Sequence, residues 1–312
     1  MLALFLGAGF SKWAANLPLA SELFDSAIES YGPREEQRLS RVRDLKGAWD
    51  AQNPAGPAEQ FIAEVMLSGD TSNQEDVVWY VTRRLSDPYI WQEWTWGRVR
   101  RQVLMIDENR KWTRPGIKAA ADFISRCGLQ LSGIVTLNYD LIVEYALGSR
   151  GFNYGIRDEI LLGRGPYPVS TLRNPVRLTG RIPFAKLHGS ISWDLVGKYT
   201  DGRRGLSGKA LIVPPTSEKS TPSQLDKHWA LSLSVLGRSS RLLIFGFGFN
   251  EYDQAVLAHL ATAGQRLVDI GIIDVSPRQD SATRLWPSAR ITSFLPPPLG
   301  DTQLQAWLSA AA

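Results

Sequence analysis

Cysteine is almost missing from this chain: Cys127 is the one such residue among 312. A single thiol makes no intrachain disulfide and no zinc site built from two or more thiolates. Long apolar runs are missing too. The apolar run that opens the chain, Met1 to Leu6, is far too short for a signal peptide or a membrane span, and no basic region precedes it. The expectation is a soluble, cytoplasmic protein with no room for an N-terminal regulatory module and no membrane contact. Charge of one sign is scarce as well. A net charge of +4 and a pI near 9.2 permit contact with nucleic acid or an anionic cofactor and require neither. Hydrophobic residues at 44% and charged residues at 21% exclude a disordered chain. Internal repeats and low-complexity tails are absent.

What is present begins at once. Residues Met1 to Ser11 read MLALFLGAGFS, a short apolar strand running into Gly7-Ala8-Gly9-Phe10-Ser11. Small residues there let a backbone approach a ligand closely, and such a turn ahead of a helix is a seat for a diphosphate. The spacing is neither a full G-x-G-x-x-G fingerprint nor a P-loop, so a tight turn in which glycine merely avoids a clash explains it equally well. Pro18 is expected to open the helix that faces the phosphates, with Leu19, Leu23, Ala27 and Ile28 at helical spacing.

Residues 31–128 read as a helical insertion with no sustained strand alternation. Within it Trp79, Trp91, Trp94, Trp96 and Trp112 lie among Arg98, Arg100, Arg101, Arg110 and Lys111. Interleaving of this kind serves single-stranded nucleic acid in some proteins, but helix packing or an oligomer interface is the favoured reading, and direct nucleic-acid binding ranks last.

Strands alternating with helices resume at Gly133 and continue to the end. That rhythm implies an α/β fold, a Rossmann-like, doubly wound, mostly parallel sheet. Residues 1–312 are read as one domain carrying the helical insertion. Four polar segments close four strands: Gly7 to Ser11, Thr136 to Asp140, His188 to Ser190 and Gly246 to Asn250, with Asp274 after a fifth. Strand carboxyl ends are where open α/β sheets bind ligands. Taken singly, His188 fits a packed structural histidine, Asn138 a helix cap, and Asn250 with Asp253 an N-cap with an acid at N3.

Together, these motifs resemble the sirtuin superfamily, and more closely the SIR2-like NAD-consuming domains of bacterial anti-phage systems. Gly7-Ala8-Gly9-Phe10-Ser11 with Leu17-Pro18 is similar to the first cofactor loop, Thr136-Leu137-Asn138-Tyr139-Asp140 to the Thr-x-Asn-x-Asp motif, and Leu187-His188-Gly189 to the catalytic histidine motif. Gly246 to Asn250 resembles the late glycine-rich turn, and Ile273 to Pro277 the segment near the adenosine ribose. Two departures stand out. The four-cysteine zinc module of deacylating sirtuins cannot be built, and Leu19-Ala20-Ser21 replaces the Asp-Phe-Arg element of protein deacylases.

The resemblance implies an NAD+ glycohydrolase that yields nicotinamide and ADP-ribose, with NAD+ as substrate and no metal. Asn138, His188 and Asp140 would be catalytic. Asn138 would hold a ribose hydroxyl or the water, Asp140 orient the carboxamide, and His188 accept a proton. Gly7, Ala8, Gly9, Phe10, Ser11, Thr136, Gly246, Gly248 and Asp274 would bind the dinucleotide. It further implies an effector triggered by self-assembly into a homo-oligomer or by a partner such as an Argonaute or a ring-forming DNA-motor ATPase. An NAD+ or ADP-ribose sensor without turnover is the alternative from another class, and a protein deacylase the nearest enzymatic one.

Overall fold

Every residue of the first strand, Leu2–Leu6 (β1), is buried, because the strand is covered on both faces. Leu2, Leu4 and Leu6 point into one hydrophobic core and Ala3 and Phe5 into another. The computed structural model describes residues 1–25, 33–54, 56–86, 89–96, 99–106, 113–128, 131–147, 151–154, 182–194, 210–213, 223–250 and 253–310. After β1 come helices Ala8–Ala15 (α1), Pro33–Gln52 (α2), Ala58–Leu67 (α3) and Thr71–Ser86 (α4), then strands Tyr89–Trp96 (β2) and Val99–Ile106 (β3). Helix Thr113–Cys127 (α5) leads to strand Leu131–Thr136 (β4), helix Ile142–Leu147 (α6), and strands Phe152–Asn153 (β5), Ile182–Lys186 (β6), Gly189–Asp194 (β7) and Ala210–Ile212 (β8). Helix Asp226–Gly237 (α7), strand Arg241–Phe245 (β9), helix Gln254–Ala263 (α8), strand Asp269–Ile273 (β10), helix Gln279–Leu285 (α9), strand Arg290–Phe294 (β11) and helix Thr302–Ser309 (α10) complete the order.

Seven strands form one sheet in the order β11-β10-β9-β1-β4-β6-β5, parallel throughout. Numbered by appearance and leaving out the short edge strand β5, this is the 3-2-1-4-5-6 order of a doubly wound dinucleotide fold. The order reverses between β1 and β9, so the crevice such sheets open to ligands lies at the carboxyl ends of those two strands. Helices α1, α5, α6 and α10 fill the core on one face, and α7, α8 and α9 the core on the other. The expected α/β class is the observed one.

Three expectations change. The helix after the first turn starts at Ala8, not at Pro18, and ends at Asn16, whose φ of 53° is left-handed. Pro18 follows that helix end, a position where proline is common because it cannot continue a helix. Residues 26–32, where the expected helix would finish, lie outside the described residues. The insertion is not helical throughout. After α2, α3 and α4 it carries β2 and β3 as an antiparallel pair, with Trp94 opposite Arg101 and Trp91 opposite Leu104. Finally, β7 and β8 form a second antiparallel pair beside the main sheet, so Gly189 and Ser190 open a strand rather than a loop.

The insertion helices share the core of the first face. Phe61 and Ile62 of α3 and Val77, Val78 and Val81 of α4 belong to it. Trp79 is fully buried with Leu39 and Val42 of α2, and the Arg38 guanidinium lies 5.3 Å from the ring centroid. This tryptophan therefore serves packing. Arg98, Arg110, Lys111 and Trp112 lie outside the described residues.

Candidate active site

The two glycine turns at the reversal point are interlocked. Gly7 N–H donates to Phe245 O at 2.9 Å and Gly9 N–H to Gly246 O at 3.0 Å. A Cβ on Gly7 would stand 2.4 Å from Gly246 O, and one on Gly9 2.6 Å from Gly246 Cα. Gly246 itself has φ of +67°, where side chains are rarely tolerated. The packing of β1 against β9 thus accounts for the glycines at these positions without any ligand. It also uses up amides expected to hold a diphosphate, and the Phe10 amide bonds to Gly7 O. Ala8, exposed at the start of α1, is the part of the turn that faces solvent.

The polar centre of the crevice is a chain of three side chains linking β1 to β4. Asn138 Nδ2 donates to Gly7 O at 2.9 Å and to Ser11 Oγ at 2.8 Å, and Ser11 Oγ donates to Asp140 Oδ2 at 2.6 Å. Gly7 O can only accept, which fixes the amide with nitrogen toward it. Both Nδ2 protons are then spent, and the half-buried side chain has its oxygen left to accept a proton from a hydroxyl or water. Asp140 Oδ1 accepts from Ile142 N at 2.9 Å, at the start of α6. The loop is shaped by Thr136, whose hydroxyl donates to Leu6 O at 2.9 Å and accepts from Asn138 N at 3.0 Å.

His188 stands beside this chain. Thr136 and Lys186 are register partners on β4 and β6, so Asn138 and His188 are each two residues past a paired position on adjacent strands. His188 is buried, and its Nε2 lies 3.9 Å from Asp253 Oδ1, at the outer limit of an ion pair and too long for a hydrogen bond. The N-cap of α8 is Asp253 itself, not Asn250 with Asp253 at N3 as expected, and the Asp253 side chain makes no capping bond but is turned toward the histidine. Tyr139, its ring centroid 6.3 Å from that of His188, donates its hydroxyl to Val213 O at 2.8 Å. Burial, with Asp253 and then Glu59 adding to it, pushes the Tyr139 phenol far above its ordinary value, so it stays protonated.

The sheet edge therefore carries a continuous row. Gly246 N bonds to Ile273 O, Gly9 N to Gly246 O, Asn138 Nδ2 to Gly7 O, and Leu187 N to Thr136 O. Asp274, Gly246, the first glycine turn, Asn138 and His188 follow one another along five strand ends. Several of the expected binding residues are already engaged by the protein itself. Phe10 is fully buried against Phe245, Phe123 and Trp13, so its side chain is core. The Ser11 proton is already given to Asp140 and is not available to a phosphate. Asp274 Oδ1 accepts from Ser276 N at 2.9 Å, a turn bond within its own segment. Gly248 is exposed, beside Asn250.

Sequence reading missed Asp253 as a neighbour of His188, and it missed Lys186 and Glu144, a fully buried ion pair at 2.8 Å beneath the loop. A lysine one residue before Leu187-His188 in an otherwise apolar strand was the available signal. Among the described residues no group of three or more His, Cys, Asp or Glu could hold a metal ion, and no helix is long and apolar enough to cross a membrane.

No family model matches the chain, and no curated protein matches it either. Solved structures do, among them two Sir2 structures. A Sir2 enzyme from work on the mechanism and regulation of that class is 13% identical, with 99% of this chain and 88% of that chain covered and a TM-score of 0.43. Sir2Tm bound to a propionylated peptide is 11% identical, with 100% and 91% covered and a TM-score of 0.38. Similarity of this depth does not assign the chain to a family.

Proposed function

We propose that the chain is an NAD+ glycohydrolase. The observation that carries the reading is Asn138, half-buried at a strand end beside the reversal point, with both amide protons held by Gly7 and Ser11 and its oxygen left to accept. Nicotinamide in NAD+ is a cationic leaving group. When the bond between its N1 and ribose C1′ breaks, the electron pair returns to the pyridine nitrogen and needs no general acid. Water then bonds to C1′ and loses a proton. Such a reaction asks for placement of the water and for a base within reach.

Asn138 Oδ1 accepts from the water or a ribose hydroxyl, and His188 takes the proton. Asp140, with both carboxylate oxygens engaged by Ser11 and the α6 backbone, serves the site by fixing Asn138 through Ser11. The diphosphate is assigned to the exposed side of the first turn near Ala8, and Asp274 to the far ribose. The motif resemblance supports the same reading and extends it to an anti-phage effector activated by assembly or by a partner.

The test is nicotinamide release from NAD+, measured across protein concentrations. Asn138→Ala and His188→Ala are each expected to lower the rate at least about 10²-fold, the scale of losing a positioned acid–base group. Unchanged turnover in both variants refutes the site, and binding of NAD+ without turnover in any assembly state favours the sensor instead.

A further inference from the structure

We infer that Lys186 is a positioning residue that holds the Asn138–Asp140 loop in register with the strand carrying His188. Its ammonium group, fully buried, donates to Glu144 Oε1 at 2.8 Å, to the main-chain carbonyl of Asp140, and at 3.5 Å to that of Tyr139. Glu144 is buried too. It accepts from Tyr154 Oη at 2.7 Å on the same oxygen, while its Oε2 has no hydrogen-bond partner among the described residues.

A methionine in place of Lys186 would fill similar space without the desolvation of two charges, and replacing a buried pair by apolar groups is often neutral for stability. What an apolar pair cannot do is donate to the Asp140 and Tyr139 carbonyls. Those carbonyls belong to the loop whose side chains form the Asn138–Ser11–Asp140 chain, and Lys186 lies two residues before His188 on the adjacent strand. The Tyr139 carbonyl is also held by Ile191 N at 3.0 Å and Ser190 Oγ at 3.3 Å, so the ammonium makes its own contribution at the Asp140 carbonyl, where it ties one candidate catalytic segment to the strand that carries the other. Its neighbours admit a cation there: the Lys186 amide donates to His228 Nδ1 at 3.3 Å, and burial followed by the Lys186 charge holds that imidazole neutral.

The functional consequence rests on the NAD+ cleavage reading, but the tether does not. Lys186→Met alone strands a buried carboxylate and can fail to fold, so the deciding variant is the double Lys186→Met/Glu144→Leu, in the full chain. It is expected to fold but to melt below the wild type, because Tyr154 Oη loses its Glu144 acceptor and the Asp140 carbonyl its Lys186 donor, to exchange amide hydrogens over residues 138–142 at least about tenfold faster, since local opening has its own free energy, and to lower kcat for nicotinamide release about 10²-fold with KM little changed. A double variant with wild-type exchange over that segment overturns the proposal, whatever the activity. Faster exchange with unchanged kcat overturns the catalytic consequence. A wild-type chain that never releases nicotinamide counts against the cleavage reading alone, because the exchange measurement still decides the tether.

Discussion

Acid should weaken this fold through one histidine before any carboxylate is involved. His228, in α7, is fully buried, 4.4 Å from the Trp193 ring centroid and 5.5 Å from that of Tyr154, and its Nδ1 accepts from the Lys186 amide. Burial first and the Lys186 charge second push its pKa from 6.5 down to about 3. A folded imidazole that resists protonation contributes stability that is present above pH 6.5 and is lost as pH falls from there toward 3. Between pH 7 and pH 5 the unfolded ring goes from about a quarter protonated to almost fully protonated and the folded ring gains almost nothing, which linkage converts to a loss of about 2 kcal/mol. That is a large part of the 5–15 kcal/mol or so that holds a typical domain together. His259, lowered to about 4 by burial, adds in the same direction but is partly exposed and adds less. Asp269 and Glu22, both lowered, keep their contributions until the pH approaches 4. Urea unfolding at pH 7 and pH 5 measures the loss. His228→Asn keeps an acceptor where Nδ1 stood and removes the titration, so its stability should fall by about 2 kcal/mol less than that of the wild type over the same interval. Equal losses in the two proteins would refute the assignment to His228.

Three further perturbations separate the fold from the site. Gly246→Ala puts a Cβ within 2.4 Å of Gly9 Cα at φ of +67°, so it should cost well over the roughly 1–2 kcal/mol of the left-handed backbone alone, and abolish activity with it. Gly47→Ala, in the exposed middle of α2 with nothing within 4 Å, should instead stabilise by about 0.5–1 kcal/mol in the same urea titration. Asp269→Ala removes the carboxylate that accepts from Arg241, Arg290 and Trp307 at the amino-terminal edge of the sheet. Leaving the buried Arg241 cation without that anion should cost about 3–5 kcal/mol, while the turnover of the folded fraction stays unchanged because the site is at the opposite edge.

How much of this was legible depends on whether local chemistry or a distant neighbour decides a residue's role. The strands of the main sheet announce themselves because runs such as Leu2–Leu6 and Arg241–Phe245 are buried on both faces. The start of α1 is hidden because Gly-Ala-Gly looks like loop, although Ala8 onward favours helix and Pro18 marks an end as readily as a beginning. The β2–β3 pair is hidden because Gln92 and Glu93 interrupt the aromatic run of β2 and Arg100, Arg101 and Gln102 stand together in β3, which erases the alternation that marks a strand. The site segments could be found in the sequence as strand ends, but the side-chain directions within them could not. Asp253 caps or faces His188 depending on one rotamer, and Lys186 finds Glu144 across 42 residues of sequence.

The glycines, the most conspicuous motif, turn out to be the weakest argument for a ligand. Gly7, Gly9 and Gly246 occupy one another's space, so any chain that brings β1 and β9 together this closely would need them. Asn138 is different. Helix capping does not explain it, since Asp140 supplies the bond to the start of α6. Packing does not explain it, since the side chain is only half-buried and an apolar residue could close the gap between β1 and β4. Its two amide protons hold it rigidly, one on Gly7 and the other through Ser11 to Asp140, in one orientation beside the point where the strand order reverses. A polar side chain fixed by buried partners, with an acceptor oxygen remaining, is what a positioned water or hydroxyl requires, and it is on this residue rather than on the glycine turn that the catalytic reading stands.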